Sequence, residues 1–506
     1  MTGITGTSHA PEHVQILVVG GGPAGSTAAA MLARSGLNVL LLERETFPRY
    51  HIGESLLASC LPMLRMSGAF DKVASHGFQR KRGAVFHWES DKWLLDWSKL
   101  VDPDAWSWQV NRADYDNILL RNASEQGAVV IEGANVQDIE FDGERAVSCR
   151  WSRRGDRDHV RTTSFDFLVD ASGRTGVLSK RHFDMRTPHD LFQNVGIWGY
   201  WTGASLLPGS PEGAINVVSS PEGWYWLIPL AGDRWSVGFV AHKKRFAEGR
   251  AQHDSLDAYY RALVDAPKDL RELLSGAEFE GRVRVEQDYS YVSERFCGPG
   301  YVIIGDAACF LDPLLSTGVH LAQYSAMVGS AAIATLLRGE MPEKEALAFF
   351  DYAYRRAYTR LLVLVSRMYK EYIGMDDYFG QSEQLVHETN RGRQPVEAFT
   401  QIITGLTDMQ EAGDAARRVT TDAIIGAAEE REDEAATSNV KYMGGLDMSV
   451  VWNIWRDPLG PDTAVGDLRV TTEPRLGLYR FTGNRSSNGH EPVEPRRAGA
   501  PLSSAP

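Results

Sequence analysis

The chain has few cysteines and no long hydrophobic run, and each absence excludes a class of protein. Its 506 residues include only four cysteines, with no CxxC pair and no zinc-type cluster of ligands. This indicates free thiols in a reducing compartment and predicts no metal site. No stretch approaches the ~18 apolar residues of a membrane span, and the N-terminus lacks the pattern of a secretory signal. We therefore expect a cytoplasmic protein that does not enter a membrane.

Positive charge is also in deficit. Lysine and arginine number 53 against 66 aspartate and glutamate residues, which gives a formal net charge of −13 at pH 7. Such a chain repels a phosphate backbone, so sequence-general binding to nucleic acid is not expected. Hydrophobic residues make up 43% of the chain. Such a composition can bury a large core, and the length of the chain allows two or three domains.

A glycine-rich turn near the start of the chain predicts a dinucleotide site. The segment QILVVGGGPAG is an apolar strand that leads into Gly20, Gly22 and Gly25 in GxGxxG spacing, with Ala24 inside the turn and a helix-like segment after it. Glycines allow close backbone approach, so a pyrophosphate can bind at the helix N-terminus. Glu43 ends the next strand, where its carboxylate can accept both ribose hydroxyls. The alternative is a glycine-rich turn with a packing role only. The order of strand, turn, helix, second strand and acidic residue favours the dinucleotide site.

A second element favours FAD as the dinucleotide. GYVIIGDAACFLDP places Asp306 after a short apolar strand and resembles a flavoprotein monooxygenase signature. The resemblance implies that Asp306 binds the ribityl chain and that Arg112 in QVNRADYD contacts the flavin. The GES segment with Ser55 resembles the flavin-proximal segment of flavin-dependent halogenases, although related flavin reductases carry similar letters. Arg44 is assigned to the cofactor site as well. No second GxGxxG motif appears. NAD(P)H therefore visits transiently, or a separate flavin reductase delivers reduced FAD (FADH2).

The spacing of apolar residues changes twice along the chain. After the opening βαβ unit, the run NVVSSPEGWYWLIPLAGDRWSVGFVAH alternates as antiparallel strands do, and later segments show the three-to-four spacing of helices. We predict an α/β fold, in which a Rossmann-type FAD-binding domain is interleaved with an antiparallel-sheet substrate domain and followed by a helical C-terminal region. The predicted boundaries are a disordered N-terminus at 1–13, the FAD-binding module at 14–340, its sheet-rich substrate part at about 80–110 and 190–290, the helical region at 341–482 and a disordered tail at 483–506.

A tryptophan pair in the middle of the chain resembles a feature of flavin-dependent halogenases. In WYWLIP, period-two alternation places Trp224, Trp226 and Ile228 on one face of a strand, and the letters match the halogenase WxWxIP pattern. The resemblance implies a screen that keeps the substrate ring away from a flavin hydroperoxide, which would otherwise hydroxylate it. A sheet that packs its tryptophans in the core is the alternative interpretation.

Lys81 lies in FQRKRGAVFHW, which resembles the Lys-x-Gly-Ala context of the catalytic lysine in halogenases. In that family chloride attacks the flavin hydroperoxide to give hypochlorous acid, and the lysine holds the acid or forms a chloramine with it. Desolvation would lower the pKa of such an amine and increase its neutral fraction. The alternative is one of many surface lysines. The resemblance predicts that Lys81 is catalytic.

The segment DPLLSTGVHLA precedes a long amphipathic helix. The free backbone N–H groups of Thr317 and Gly318, at the positive end of the helix dipole, could bind chloride without a cationic side chain. The family places its chloride at this Thr-Gly pair. Ordinary helix capping by Ser316 or Thr317 explains the same residue types, and the two interpretations are compatible.

One position departs from the resemblance and bears on the substrate. Tryptophan halogenases carry a glutamate directly before Ser-Thr-Gly, and this chain has Leu315 there. This favours a ring that activates itself, a phenol or a pyrrole. HIGESLL, KRGAVFHW and QDYSYV are most similar to halogenases of nonribosomal peptide and enediyne biosynthesis, which implies a tyrosyl-like substrate on a peptidyl carrier protein. An NAD(P)H-dependent aromatic hydroxylase and a non-catalytic, flavin-stabilised docking module remain the alternatives.

Overall fold

The computed structural model describes residues 11–88, 91–97, 106–373, 442–443, 446–447, 465 and 467–480. Of the termini predicted to be disordered, 1–10 and 483–506 lie outside these residues. Residue His13 begins the first strand.

The strands are β1 (His13–Val19), β2 (Val39–Glu43), β3 (Gln79–Lys81), β4 (Gly83–Trp88), β5 (Asp91–Asp96), β6 (Ser107–Gln109), β7 (Val129–Glu132), β8 (Ala134–Asp142), β9 (Arg145–Arg153), β10 (Asp156–Asp170), β11 (Arg186–Thr202), β12 (Ile215–Ser220), β13 (Gly223–Leu230), β14 (Arg234–His242), β15 (Glu278–Phe279), β16 (Arg284–Ser293), β17 (Cys297–Gly298), β18 (Tyr301–Ile303), β19 (Cys309–Phe310), β20 (Tyr442–Met443), β21 (Leu446–Asp447), β22 (Leu468–Thr471) and β23 (Gly477–Arg480). The α-helices are α1 (Pro23–Arg34), α2 (Cys60–Ser67), α3 (Phe70–Ser75), α4 (Arg112–Glu125), α5 (Lys243–Ala251), α6 (Leu256–Asp265), α7 (Lys268–Leu273), α8 (Gly318–Leu337) and α9 (Glu343–Ile373).

The first sheet is the dinucleotide-binding one. Its main path runs β17-β18-β10-β1-β2-β7, and β1, β2, β7, β10 and β18 are parallel neighbours. Strands β1 and β2 are almost continuously apolar, as expected for parallel strands covered on both faces. The carboxyl ends of these strands meet at one edge, where ligands bind in doubly wound sheets. The predicted Rossmann-type domain is confirmed.

The second sheet is largely antiparallel and follows the order β19-β16-β11-β14-β13-β12-β4-β5. One face, which carries Trp198 and Trp226, packs into the same core as the parallel sheet. The other face, with Tyr225 and Leu227, is covered by α6 and α7 in a separate apolar cluster. The alternation predicted for the middle of the chain is confirmed, and each face of the sheet has its own core.

The end of the described chain combines a helix with a hairpin. Helix α8 is buried along most of its length, and α9 packs beside it. The hairpin of β22 and β23 lies on α8, where Leu478 donates its backbone N–H to Thr335 Oγ1 at 2.8 Å. Most of the predicted helical region beyond 373 lies outside the described residues, so its boundaries stay predictions. Within the ranges given above, none of the helices combines the length and hydropathy that a membrane crossing requires.

Candidate active site

A cavity of about 520 Å³ lies at the carboxyl edge of the parallel sheet and extends to the antiparallel sheet. Of the site residues predicted from the sequence, Gly25 and Lys81 are set back from it. The others line it; they are Gly20, Gly22, Ala24, Glu43, Arg44, Ser55, Arg112, Trp224, Trp226, Asp306, Thr317 and Gly318. Segments far apart in the chain therefore meet in one cavity.

The glycine turn forms one end of this cavity. Gly20 has a φ of +104°, and a Cβ on Gly25 would lie 1.8 Å from the Gly20 carbonyl oxygen, so these two glycines allow helix α1 to pack against β1. At Gly22 the space is open, and the nearest atom to a Cβ would be Arg49 Nη2 at 3.5 Å. Helix α1 has no side-chain cap and no acidic residue in its first turn. Its free N–H groups therefore fit the diphosphate of a dinucleotide.

Glu43 is held in a fixed orientation at the end of β2. Its Oε2 accepts from the backbone N–H of Gly21 and its Oε1 from that of Glu45, both at 2.6 Å. The side chain is almost fully buried, and each oxygen keeps a lone pair for a ribose hydroxyl. Arg44, by contrast, is largely exposed and forms an ion pair with Glu45 at 3.4 Å. It lies at the mouth of the cavity and is a weaker candidate for specific recognition.

Asp306 and Arg112 lie farther along the cavity. Burial raises the pKa of the Asp306 carboxyl, and the positive charge of Arg174 is the largest opposing influence. Arg112 donates through Nε and Nη2 to the two carboxyl oxygens of Asp116 at 2.8 and 3.0 Å, and through Nη1 to the carbonyl oxygen of Ile52 at 2.8 Å. Arg112 thus fixes the chain that leads into the GES segment while keeping its place in the cavity wall.

Three indoles of the antiparallel sheet line the cavity. Trp224 and Trp226 are 2% and 7% exposed, with ring centroids 6.0 Å apart, and they face the same side of β13 as the alternation predicted. The third indole is Trp198 of β11, 6.2 Å from Trp226, which the sequence analysis did not select. Its position in the alternating run NVGIWGYW indicates the face it occupies, but only the strand pairing brings it beside Trp226.

Gly238 lies between Trp198 and Trp226, and its substitution tests how tightly these indoles are packed. It pairs with both Trp198 and Trp226 across neighbouring strands, and a Cβ there would lie 2.1 Å from the Trp226 ring. We expect Gly238→Ala to displace that indole and lower the free energy of unfolding by about 1–3 kcal/mol. Gly196→Ala is the matched control, since its Cβ would meet the same ring at 3.7 Å, an ordinary contact. Denaturation followed by tryptophan fluorescence measures both; equal stability of the two variants would contradict this account.

Lys81 is a buried amine behind the cavity wall. It lies on β3, is 1% exposed, and donates from Nζ to Ser55 Oγ at 2.7 Å and to the carbonyl oxygen of Leu56 at 3.0 Å. The amine is 4.9 Å from the centroid of the Trp97 ring. Burial lowers the pKa of Lys81 to about 7. Lys81 is therefore not a surface lysine, and Ser55 joins it to the cavity.

The lowered pKa of Lys81 predicts a titration near neutrality. Between about 7 and the ordinary value of 10.5, the folded protein binds fewer protons than the unfolded chain. The contribution of Lys81 to the free energy of unfolding therefore rises with pH across this window and is least favourable below it. In flavin-free protein with ¹³C-labelled lysine, we expect a side-chain NMR signal with a midpoint near pH 7 that Lys81→Met removes. A Lys81 signal that titrates only above pH 10 would refute this.

The start of α8 also lines the cavity. Ser316 adopts the left-handed conformation at φ +57°, and Thr317 follows as the N-cap residue. Thr317 is fully buried, caps no backbone N–H with its side chain, and leaves its Oγ1 without a hydrogen-bond partner in the described part of the chain. A Cβ on Gly318 would have no neighbour within 4 Å. Simple capping by Thr317 is therefore not what the structure shows, and the open amides fit a small anion.

A buried carboxyl group in the cavity was missed by the sequence analysis. Glu54 is 3% exposed, lines the cavity and accepts through Oε1 from the hydroxyl of Tyr200 at 2.7 Å. The GES segment contains this residue, but its letters indicate only the neighbourhood of the flavin. The partner lies 146 residues away in sequence. Only the packing of the two sheets brings them together.

A cavity lined by a glycine turn at a helix N-terminus, a fixed carboxylate at the end of the next strand and a buried aspartate fits a dinucleotide cofactor such as FAD. The tryptophan halogenase family model matches residues 15–102 and 95–416 of the chain. The chain belongs to the flavin-dependent halogenases. FAD is the cofactor of this family, and its members work with a flavin reductase.

The similarity extends over most of the chain. A protein of Chondromyces crocatus named tryptophan 2-halogenase is 39% identical over 503 residues, which cover 93% of this chain and 94% of the relative. The solved structure of the myxobacterial chondrochloren halogenase CndH, described as a new variant of FAD-dependent halogenases, is 36% identical with a TM-score of 0.68 and covers 79% of this chain and 92% of its own. The flavin-dependent halogenase CmlS is 30% identical with a TM-score of 0.67, covering 77% and 72%.

Proposed function

We propose that the protein is an FADH2-dependent halogenase that chlorinates an electron-rich aromatic ring of the phenol or tyrosyl type. The observation that carries the proposal is the buried Lys81 amine, which is hydrogen-bonded to Ser55 in the wall of the flavin cavity. A lysine with a pKa of about 7 has a large neutral fraction at physiological pH. A neutral amine is the nucleophile that an electrophilic halogen requires.

Different residues of the cavity would form the oxidant and exclude the aromatic substrate. Reduced FAD and dioxygen supply the oxidising equivalent that converts chloride into hypochlorous acid. The backbone amides of Thr317 and Gly318 would hold chloride at the positive end of α8. Trp224 and Trp226 keep the aromatic substrate out of the cofactor cavity, which prevents direct hydroxylation.

Lys81 would then deliver the halogen on the substrate side. Its neutral amine takes chlorine from hypochlorous acid with loss of water, and the ring carbon takes chlorine from the resulting N–Cl group as the ring proton returns to nitrogen. Alternatively, the protonated amine hydrogen-bonds hypochlorous acid and orients it toward the ring. Both routes need the amine at a fixed position, and the hydrogen bonds from Nζ to Ser55 and to the Leu56 carbonyl provide one.

The substrate class follows from the apolar side chain at Leu315. Without a carboxylate there, a phenol or pyrrole, which activates itself, is a better acceptor than a neutral indole. The resemblance to halogenases of peptide and enediyne pathways supports a tyrosyl-like ring on a peptidyl carrier protein. Tryptophan is kept as the second candidate, because a 39% identical relative carries the name tryptophan 2-halogenase.

Mass spectrometry of the products tests this proposal. Purified protein would receive FAD, a separate flavin reductase, NADH, oxygen and chloride, with free tyrosine analogues, carrier-tethered tyrosine analogues and free tryptophan as parallel acceptors. Chloride-dependent chlorine gain on a tyrosine analogue that needs the reductase supports the proposal, and the two forms show whether tethering is required. If only tryptophan is chlorinated, the protein is a halogenase but the proposed phenol or tyrosyl-type substrate is wrong. Oxygen gain without chloride dependence establishes the hydroxylase instead.

A further inference from the structure

A line of hydroxyl groups connects the cavity with the protein surface. Glu54 lies in the cavity wall, and the Tyr200 hydroxyl donates to its Oε1 at 2.7 Å. The hydroxyls of Tyr200 and Tyr50 are 3.0 Å apart, and Trp198 Nε1 donates to the Tyr50 hydroxyl at 2.8 Å. Tyr50 is 48% exposed, whereas Tyr200 and Glu54 are 2% and 3% exposed. Tyr50 also lines the cavity, so the line runs from the exposed rim of the cavity to a buried carboxyl group in its wall.

The hydrogen bonds along this line all point inward. An indole N–H can only donate, so the Tyr50 hydroxyl accepts from Trp198 and has its own proton free to donate. Because the Tyr200 hydroxyl donates to Glu54, it is the acceptor of the proton from Tyr50. The hydroxyl of Tyr50 thus donates to that of Tyr200, which donates to Glu54, and this is the order that proton transfer from exposed Tyr50 to buried Glu54 needs.

Two guanidinium groups hold the tyrosine rings in place. Arg234 lies 3.8 Å from the centroid of the Tyr200 ring, and Arg284 lies 4.4 Å from that of Tyr50. Arg234 is itself fixed by two hydrogen bonds to Glu280 at 2.5 and 2.7 Å. Removing a hydroxyl from Tyr200 leaves its ring contact with Arg234 available, so the hydroxyl can be tested apart from the ring.

The cavity end of the line is suited to a neutral carboxylic acid. Burial raises the pKa of the Glu54 carboxyl and outweighs the opposing effects of Ser236, Tyr200, Arg234 and Arg112. Its hydrogen-bonding neighbours are the hydroxyls of Tyr200 and Ser236. A proton on Oε2 would remove the charge and make the carboxyl group of Glu54, which lines the cavity, a hydrogen-bond donor.

The proposed reaction consumes a proton in every turnover. Its balance is ArH + Cl⁻ + FADH2 + O2 + H⁺ → ArCl + FAD + 2 H2O, in which Ar is the aromatic group. The proton must come from solvent to the buried part of the cavity. We propose that Tyr50, Tyr200 and Glu54 form a proton relay from solvent into the flavin cavity, an inference that rests on the proposed function for the need it meets.

The relay moves a proton without net change in its members. Tyr50 takes a proton from solvent and passes its own to Tyr200, and Tyr200 passes its own to Oε1 of Glu54. Glu54 releases the proton on Oε2 into the cavity. Rotation of the carboxylic acid and the two hydroxyls then restores the starting arrangement.

Tyr200→Phe tests the relay, and Tyr225→Phe is the matched control. Tyr225 lies on β13 with its side chain on the opposite face, where its hydroxyl donates to the Leu263 carbonyl at 2.9 Å. With reductase and chloride, we expect Tyr200→Phe to slow chlorination by about 10²-fold and to increase its solvent deuterium isotope effect. Small weak acids should restore part of the rate. Tyr225→Phe should keep the wild-type rate; a Tyr200→Phe variant with wild-type rate and isotope effect overturns the relay.

Infrared spectroscopy of the flavin-free protein separates the relay from the proposed function. At neutral pH, we expect a carbonyl stretch of a protonated carboxyl group that Glu54→Gln abolishes, Tyr200→Phe shifts and Tyr225→Phe leaves unchanged. This result supports the relay even if the wild-type protein chlorinates none of the acceptors and the proposed function fails. An ionised Glu54 at neutral pH, or a band that Tyr200→Phe does not shift, overturns the relay even if the wild-type protein chlorinates.

Discussion

Lys81→Met is expected to lose chlorination by about 10²- to 10⁴-fold while the protein still binds FAD and releases hydrogen peroxide in air. The amine is the only part of the side chain that can receive the halogen, and methionine fills a similar volume with an apolar group. Replacing a buried amine by an apolar side chain should also raise the free energy of unfolding at neutral pH, by up to about 4 kcal/mol for a pKa lowered to about 7. Product mass spectrometry, FAD titration and thermal denaturation measure the three effects.

The matched control for this variant is Arg80→Met. Arg80 is the preceding residue of the same strand, is exposed and lies over the ring of Trp106, so its removal tests the loss of a cation near the site without touching Ser55. It should chlorinate as the wild-type protein does. A Lys81→Met variant that chlorinates at the wild-type rate would overturn the assignment of this lysine.

Gly22→Val is expected to weaken FAD binding by about ten- to a hundredfold with little loss of fold stability. The backbone of Gly22 has a φ of −69°, which a branched residue can adopt, and a Cβ would meet Arg49 only at 3.5 Å. The side chain would instead occupy the space in front of the helix amides where the diphosphate is expected. An overpacking cost of about 1–3 kcal/mol would then fall on binding alone. Fluorescence titration of the flavin-free protein with FAD measures it.

Gly25→Ala shows why the choice of glycine matters in this experiment. Its Cβ would lie 1.8 Å from the Gly20 carbonyl oxygen, so this variant should disrupt the packing of α1 on β1 and lower stability. The two variants therefore separate binding from folding within one motif. Unchanged FAD affinity in Gly22→Val would place the diphosphate somewhere other than this turn.

The parts of the site with local signals could be predicted from the sequence. The GxGxxG turn is recognised from the spacing of its glycines, and the shared face of Trp224 and Trp226 from alternation along one strand. The structure shows the predicted α/β fold and places both indoles on the predicted face of β13. The depth of Lys81 could not be predicted in this way, because its burial comes from contacts with Ser55, Leu56 and Trp97. These three residues lie outside the strand that holds Lys81, so neither the helical nor the strand period relates them to it, and the sequence pattern does not indicate the contacts.

The positions of Trp198 and Glu54 could not be predicted, because they depend on strand pairing and on packing between the two sheets. Trp198 joins the indole wall because β11 pairs with β14 so that Gly238 lies between Trp198 and Trp226. Glu54 meets Tyr200 because a loop of the parallel-sheet domain rests on the second sheet. Neither the partner strand nor its offset can be read from one sequence, since every alternating strand offers the same pattern of faces. The roles of these residues in catalysis stay predictions until the variants are measured.

The loop that follows Asp306 is built into the sheet that carries the indole wall. Its strand β19 is hydrogen-bonded to β16, and the order continues through β11 and β14 to β13. Four strand-to-strand steps therefore connect this loop to the strand that carries Trp224 and Trp226, along a continuous ladder of backbone hydrogen bonds. The placement of the predicted flavin loop relative to the predicted indole screen is thus set by the main chain. We therefore expect side-chain changes on the substrate side to alter the accepted ring without moving this loop.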